Sequence, residues 1–126
     1  MGSLHTHRAG AGVLVVEDDF DSREMLRILL ESEGYPVFSA ADGREALQHL
    51  TAASPCLIIL DLMMPVMNGW EFRAAQTQDP ALARIPVVVV SADGNVKDKA
   101  TSLGVAGYLQ KPVQFDRLLD LVRQHC

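Results

Sequence analysis

Four consecutive valines at residues 87–90 are the feature that most narrows the folds open to this chain. β-branched side chains favour extended backbone, and an apolar run without polar alternation predicts a strand that is covered on both faces. Strands of that kind belong to parallel sheets, whose connecting helices lie on both sides of the sheet. The run therefore favours an α/β fold over an all-α or an all-β fold.

The rest of the chain repeats this pattern of a short apolar run followed by a segment of helical period. Strands are predicted at residues 13–16, 36–39, 56–60, 87–90 and 108–110. Helices are predicted at residues 22–33, 43–53, 69–78, 95–103 and 114–124. The pattern is typical of a doubly wound, five-stranded parallel sheet flanked by five helices, with the strand before Asp61 at its centre.

Length and composition limit the chain to one folded domain. The chain has 126 residues, of which 48% are hydrophobic, and this is enough to bury a core without metals or disulfides. We assign residues 13–126 to the domain, and residues 1–12, which contain Gly, His and Ser, to a flexible leader or the remnant of a tag. Cys56 and Cys126 lack metal-ligand spacing, and we read them as reduced thiols of a cytoplasmic protein.

Charge and hydropathy exclude two classes of partner. The formal net charge is -5, and the basic residues are scattered rather than grouped in a patch. Nucleic-acid-binding domains usually carry a basic patch, so nucleic acid is not expected as the partner of this domain. No apolar stretch approaches the roughly 20 residues that a membrane-spanning helix needs, and no membrane association is predicted.

Chemically active side chains follow four of the predicted strands. Glu17 and Asp18 follow the first, Asp61 the third, Ser91 the fourth and Lys111 the fifth. Because the carboxyl ends of parallel strands meet at one edge of a sheet, these side chains are expected to share a crevice. Taken singly, an Asp at a strand end is more often a helix cap, a Ser a turn residue and a Lys a solvated charge. Their joint occurrence favours a functional site.

The expected crevice suits phosphoryl transfer with a metal ion. Carboxylates a few ångströms apart repel one another by roughly 4 kcal/mol per pair at an effective dielectric near 20, so such a cluster needs a compensating cation or raised pKa values. The candidate ligands are all oxygens, which favours Mg²⁺. Asp61 would be the nucleophile that forms an acyl phosphate, while Ser91 and Lys111 would contact the phosphoryl oxygens.

These motifs resemble the receiver domain of bacterial two-component response regulators, including the single-receiver chemotaxis type. The resemblance covers residues 13–126 and rests on the acidic residues in 13–19, the loop 61–69, Ser91-Ala92 and the motif 107–112. It implies a flavodoxin-like sheet with strand order 2-1-3-4-5. It also implies that the chain catalyses only its own phosphorylation and dephosphorylation, rather than being a dedicated enzyme.

The resemblance assigns a role to each acidic residue of the site. It implies that Glu17, Asp18, Asp61 and the backbone carbonyl of Met63 hold Mg²⁺. A phosphoryl group would pass from the histidine of a sensor histidine kinase or a phosphotransfer protein to Asp61. Glu17 stands where Asp is common, which favours a water-mediated contact with the metal. Met63 is apolar and cannot orient an attacking water, so we expect slow hydrolysis of the phosphoryl group.

The resemblance also implies how a signal enters and leaves. Ser91 and Tyr108 would form a conformational switch pair. Thr is also frequent at the position of Ser91, and the absence of its methyl group would loosen the switch. The peptide bond before Pro112 is expected to be cis, which costs little before proline. The output would be a downstream protein partner or a fused domain.

The resemblance places the docking site of the kinase on Phe20, Met25, Pro112 and Val113, although Val113 could equally be a packing residue.

Other functions remain open. A pseudo-receiver would keep the fold and bind partners without phosphorylation, but such domains usually lack a site residue, and here all are present. A haloacid-dehalogenase-like hydrolase needs a second Asp two residues after its nucleophile, where this chain has Met63. A dinucleotide-binding domain needs G-x-G-x-x-G after the first strand, where this chain has Glu17-Asp18-Asp19.

Overall fold

A five-stranded parallel sheet forms the centre of the molecule. The structure is a computed structural model and describes residues 12–64 and 66–126. The strands, in chain order, are β1 (Val13–Val16), β2 (Val37–Ala40), β3 (Leu57–Asp61), β4 (Val87–Ser91) and β5 (Gly107–Gln110). Their order across the sheet is β2-β1-β3-β4-β5, and every neighbouring pair is parallel. This confirms the predicted fold class and the central place of the strand that carries Asp61.

Six helices connect and flank the strands within residues 12–64 and 66–126. They are α1 (Phe20–Ser32), α2 (Gly43–Ala52), α3 (Gly69–Gln78), α4 (Pro80–Ala83), α5 (Val96–Leu103) and α6 (Phe115–His125). Five had been predicted, and the additional one is α4, a single turn. In α4 the side chain of Asp79 accepts from the backbone N–H of Ala81, and Pro80 has the fixed φ that suits a first helical position. None of these described helices has the combined length and apolar character needed to cross a membrane.

The loops after the strands end in side chains that cap the next helix. Asp19 accepts from the N–H of Ser22, so α1 begins two residues earlier than predicted. Asn68 and Glu71 form a capping box at the start of α3, where each side chain accepts from the other residue's backbone N–H. Such caps satisfy backbone donors that a helix start otherwise leaves without partners. They fix the two loops that follow β1 and β3.

The sheet separates the core into two clusters. One packs against α1 and α6 and includes Val15, Ile59, Val90 and Leu118. The other packs against α2, α3 and α5 and includes Val16, Leu60, Val89 and Phe72. Side chains alternate between the faces along a strand, so Asp61 shares the face of Ile59, whereas Ser91 shares that of Val89.

The cysteines depart from the sequence-based interpretation. Cys56 and Cys126 form a disulfide, with their Cα atoms 5.4 Å apart, so their reading as reduced thiols is wrong for this structure. Helix α6 packs back along the sheet, and its last turn comes to lie beside the residue that precedes β3. A pairing across 70 residues of sequence leaves no spacing signal. Next to this pair Gly12 is buried, and its carbonyl accepts from the N–H of Cys56.

Gly12 is the one described residue of the predicted flexible leader, since residues 1–11 lie outside the described part of the chain.

Candidate functional site

Three carboxylates converge at the carboxyl edge of the sheet. Val16 of β1 pairs with Leu60 of β3, so the residues that follow each of them, Glu17 and Asp61, stand side by side. One carboxylate oxygen from each of Glu17, Asp18 and Asp61 lies within 4.8 Å of the others. Glu17 and Asp61 are buried, while Asp18 is exposed. The predicted acidic cluster is therefore present, with two charges shielded from solvent and one open to it.

Lys111 supplies the positive charge that this cluster requires. Its Nζ donates to Oε1 of Glu17 at 2.9 Å and lies 3.5 Å from Oδ2 of Asp61. Burial disfavours the charged amine, but the hydrogen bond to Glu17 and the charges of Asp61 and Glu17 outweigh it and raise the pKa of Lys111. The backbone N–H of Lys111 donates to the carbonyl of Ser91 at 2.9 Å, which anchors the start of the loop after β5.

The loop after Asp61 folds back closely on the strand end. The N–H of Met63 donates to Oδ1 of Asp61 at 3.1 Å, and the N–H of Gly69 donates to the carbonyl of Leu62 at 3.1 Å. A Cβ atom on Gly69 would lie 2.8 Å from Cα of Leu62, so a side chain would displace the backbone there. The Met63 side chain is 66% exposed. The close approach at Gly69 thus helps to hold the loop that contacts the carboxylate of Asp61.

Glu17 is held by contacts that the sequence did not reveal. Its Oε2 accepts from the N–H of Asp19 at 3.1 Å, and its carbonyl accepts from the guanidinium of Arg23 at 2.8 Å. The same guanidinium lies 3.4 Å from the carbonyl of Asp18. Arg23 stands in the first turn of α1, four residues after the cap Asp19. That spacing is the feature of the sequence that could have indicated its contact with the backbone of Glu17. These bonds fix the backbone that presents Glu17 and Asp18.

The chemistry of the donors fits a hard divalent cation. All three side chains offer carboxylate oxygens, which Mg²⁺ and Ca²⁺ prefer, and Mg²⁺ commonly binds through few carboxylates and several waters. Asp18 and Asp61 line the same cleft. A metal ion bound there with its waters would therefore be accessible from solvent. The Met63 carbonyl remains a predicted ligand, since the observed contact of Met63 with Asp61 is made by its N–H.

A second group of polar residues lines the same cleft on the α5 side. The Oγ of Ser91, which is buried, accepts from the N–H of Asp93 at 3.1 Å. The Asp93 carboxylate pairs with the ammonium of Lys99 on α5. The hydrogen bond from Lys99, followed by that from the N–H of Asn95, lowers the pKa of Asp93. Asp93 and Lys99 were not singled out from the sequence, where they read as residues of an ordinary polar loop and helix.

The two predicted switch residues lie on one face of the sheet. Val89 pairs with Tyr108, and Ser91 pairs with Gln110, so Ser91 and Tyr108 occupy the α5 face of neighbouring strands. Tyr108 is half-buried and packs against the core cluster on that face. The Tyr108 ring and the Ser91 hydroxyl therefore lie on neighbouring strands. The coupled movement of these two residues remains a prediction.

The predicted docking residues surround an apolar cavity next to Asp61. Met25, Pro112 and Val113 line this cavity of about 220 Å³ between α1 and the loop after β5, together with Asp61. Phe20 does not line it, although both Phe20 and Met25 are 62% exposed. The Lys111–Pro112 peptide bond is cis, as predicted. The structure therefore groups three of the four residues at one site and leaves Phe20 on the surface nearby.

Comparison with known sequences supports one family. The family model described as "Response regulator receiver domain" matches residues 13–123. An uncharacterized 14.6 kDa protein of Leptolyngbya boryana is 37% identical over 116 residues, which cover 90% of this chain and 88% of that protein. The response regulator MprA of Mycolicibacterium vanbaalenii is 37% identical over 115 residues, or 88% of this chain and 48% of MprA. The sensor histidine kinase TmoS of Ectopseudomonas mendocina is 41% identical over 102 residues, 79% of this chain but 10% of the kinase.

Solved structures agree with this assignment. The chemotaxis response regulator CheY4 of Vibrio cholerae superposes with a TM-score of 0.83 at 34% identity, covering 92% of this chain and 98% of CheY4. A receiver protein of Pseudomonas putida gives 0.85 at 32% identity, with 94% and 99% covered. The response regulator TrrA of Thermotoga maritima, solved in complex with Mg(2+)-BeF, gives 0.81 at 28% identity, with 92% and 99% covered. The fold, the acidic cleft with its lysine, and these matches together show that the chain belongs to the response regulator receiver domain family.

Proposed function

We propose that Asp61 accepts a phosphoryl group in a Mg²⁺-dependent reaction from the phosphohistidine of a sensor histidine kinase or a phosphotransfer protein. The observation that carries this proposal is the buried Asp61 carboxylate, which stands within 4.8 Å of two other carboxylates and 3.5 Å from Lys111. The Mg(2+)-BeF complex of TrrA and the receiver-like segment of the kinase TmoS support the metal and the donor. The downstream partner is a separate protein or a fused output domain.

The reaction transfers one phosphoryl group between two side chains. A carboxylate oxygen of Asp61 attacks the phosphorus, the bond between phosphorus and the donor's imidazole nitrogen breaks, and the bonding pair returns to that nitrogen. Bound Mg²⁺ supplies positive charge to the phosphoryl oxygens during the transfer. Oδ1 of Asp61 is held by the N–H of Met63. Oδ2, on the side of Lys111, is the oxygen we assign as nucleophile.

The residues around Asp61 suit the charge that arrives. The acyl phosphate would carry about -1.5 to -2 charges, in place of the single charge of the Asp61 carboxylate, beside the carboxylates of Glu17 and Asp18. Lys111 can turn from Glu17 to a phosphoryl oxygen while remaining in the cleft. Ser91 retains its hydroxyl proton for the phosphoryl group, because its Oγ accepts from Asp93. The chain thus provides an ammonium and a hydroxyl donor from two different strands.

The switch and the output surface follow from the same geometry. When Ser91 turns toward the phosphoryl group, Tyr108 on the adjoining strand moves inward, and the surface of α5, β5 and α6 changes its shape. A partner protein reads this surface. The domain acts in the cytoplasm, without direct contact with nucleic acid or membrane, and catalyses only its own phosphorylation and dephosphorylation.

The lifetime of the phosphoryl group is set partly by Met63. Its exposed apolar side chain has no group that can orient an attacking water, so hydrolysis of the acyl phosphate is slow. Met63→Asn is expected to shorten the lifetime by offering such a group, while Met63→Leu, which keeps an apolar side chain at the same position, serves as the control. An unchanged dephosphorylation rate in Met63→Asn would remove this part of the proposal.

The direct test is intact mass after incubation with acetyl phosphate and MgCl₂. Wild type should gain the mass of one phosphoryl group, and the gain should vanish in Asp61→Asn and in EDTA. A lack of gain from both acetyl phosphate and a phosphorylated kinase, in protein that is folded and binds Mg²⁺, would contradict the proposal. That outcome would favour a pseudo-receiver that binds partners without phosphorylation.

A further inference from the structure

We propose that Lys99 is a positioning residue of the phosphorylation site, which neutralises Asp93 and thereby holds the Ser91 hydroxyl ready for the phosphoryl group. This inference rests on the proposed function, and it assigns a role to a side chain outside the motifs that identify the family. Lys99, Asp93, Ser91 and Asp61 all line one cleft of about 400 Å³.

A continuous set of contacts links Lys99 to the hydroxyl. The Lys99 ammonium binds Oδ2 of Asp93, whose other oxygen, Oδ1, accepts from the N–H of Asn95 at 2.8 Å. Both carboxylate oxygens of Asp93 are thus engaged, and the turn that contains its backbone is fixed. The N–H of Asp93 in turn donates to Oγ of Ser91 at 3.1 Å. Because Oγ of Ser91 accepts this bond, its own proton stays available to a group bound in the cleft that Ser91 lines.

Trp70 holds the ammonium in place. Nζ of Lys99 lies 5.6 Å from the centroid of the Trp70 ring, within the range of a cation–π interaction. Trp70 belongs to the first turn of α3, which is fixed by the capping box of Asn68. Lys99 therefore joins three parts of the site: the loop after β4, helix α5, and the first turn of α3, which follows the loop after Asp61.

The charge of Asp93 makes this contact necessary. Asp93 stands at the mouth of a cleft that already contains Glu17, Asp18 and Asp61, and its side chain is 40% exposed. An uncompensated carboxylate there would repel an anionic phosphoryl donor. Lys99 removes that repulsion, and its effect on the approach of the donor should weaken as added salt screens the charges.

The test compares Lys99→Met with Lys97→Met. Lys97 lies two residues away on the same helix, is exposed, and does not line the cleft, so the control removes the same charge elsewhere. The rate of phosphorylation by acetyl phosphate is followed by intact mass at low and high salt. Lys99→Met should lower the rate by about threefold or more at low salt and less at high salt, whereas Lys97→Met should match wild type.

Two further variants separate positioning from a general structural effect. Lys99→Arg should restore most of the rate, because the guanidinium keeps the charge and can stack on Trp70. Asp93→Asn should largely suppress the defect of Lys99→Met in the double variant, because no charge then needs neutralising. Trp70 is the sole tryptophan of the chain, so its fluorescence should change in Lys99→Met and not in Lys97→Met.

The outcomes separate this inference from the proposed function. If wild type gains no phosphoryl group from acetyl phosphate or from a phosphorylated kinase, the proposed function fails and the inference fails with it. If wild type is phosphorylated and Lys99→Met reacts at the same rate, the inference alone is overturned. A defect in Lys99→Met that persists unchanged in the double variant with Asp93→Asn would also overturn it.

Discussion

Lys111 should stabilise the metal-free domain strongly and contribute much less to its stability when Mg²⁺ is bound. Its ammonium lies 2.9 Å from Glu17 and 3.5 Å from Asp61, both of which are buried. At an effective dielectric near 20 each contact corresponds to about 5 kcal/mol of attraction, most of which is offset by desolvation of the charges. The Lys111 side chain is also 32% exposed, and solvent screens the pair further.

The substitution Lys111→Met keeps the length of the side chain and removes its charge. Breaking a buried ion pair by deleting one partner costs about 3–5 kcal/mol, and with the screening at this site we expect a loss of about 2–3 kcal/mol without metal. Bound Mg²⁺ would replace the missing charge, so most of the loss should be recovered in MgCl₂. The affinity for Mg²⁺ should rise as well, because Lys111 no longer competes for Glu17 and Asp61.

Urea denaturation followed by Trp70 fluorescence measures the free energy of unfolding of both proteins in EDTA and in MgCl₂. Lys97→Met is the matched control, since it removes the same charge at an exposed position. Equal destabilisation of Lys111→Met in EDTA and in MgCl₂, or an unchanged Mg²⁺ affinity, would refute the argument that Lys111 and the metal ion compensate the same carboxylates.

Three further predictions concern the disulfide, the loop and pH. Cys126→Ser should lower the free energy of unfolding by about 4 kcal/mol, which is the chain-entropy value for a separation of 70 residues. Dithiothreitol should lower the free energy of unfolding of wild type by the same amount and leave that of the variant unchanged. Gly69→Ala should cost about 1–3 kcal/mol in urea denaturation, because its Cβ would meet Cα of Leu62 at 2.8 Å, and it should also slow phosphorylation. The raised pKa of Lys111 predicts that its stabilisation is complete below the unfolded pKa of about 10.4 and is lost as pH rises through the higher folded pKa. In urea denaturation, the free energies of unfolding of wild type and Lys111→Met should therefore converge in alkali.

Local patterns in the sequence were sufficient to predict the sheet and the main cleft. Residues 87–90 are an unbroken apolar run, and Glu17, Asp61 and Lys111 each directly follow a predicted strand. The direction of parallel strands then brings these side chains together without further information. Helix α2 begins after its predicted cap, Asp42, because the capping signal lies within three residues of the bond it makes.

The features that were missed depend on tertiary packing. The disulfide depends on where α6 ends relative to β3, which no spacing between Cys56 and Cys126 reveals. The pairing of Lys99 with Asp93 depends on the turn between β4 and α5, and its contact with Trp70 depends on how α3 and α5 lie together. Helix α4 has four residues, too few for a helical period to appear.

The division of the core by the sheet has a consequence for how many proteins the domain can engage at once. Asp61 lines the cavity beside α1 and also the cleft that it shares with Ser91 on the α5 side, whereas Tyr108 packs on the face covered by α5. A phosphoryl donor bound beside Met25 would lie on one side of the sheet. A partner protein that binds α5 would lie on the other side. If the donor binds in that cavity, the surface of α5 stays available to a second protein, and the two proteins would meet at the edge of the sheet where Asp61 lies.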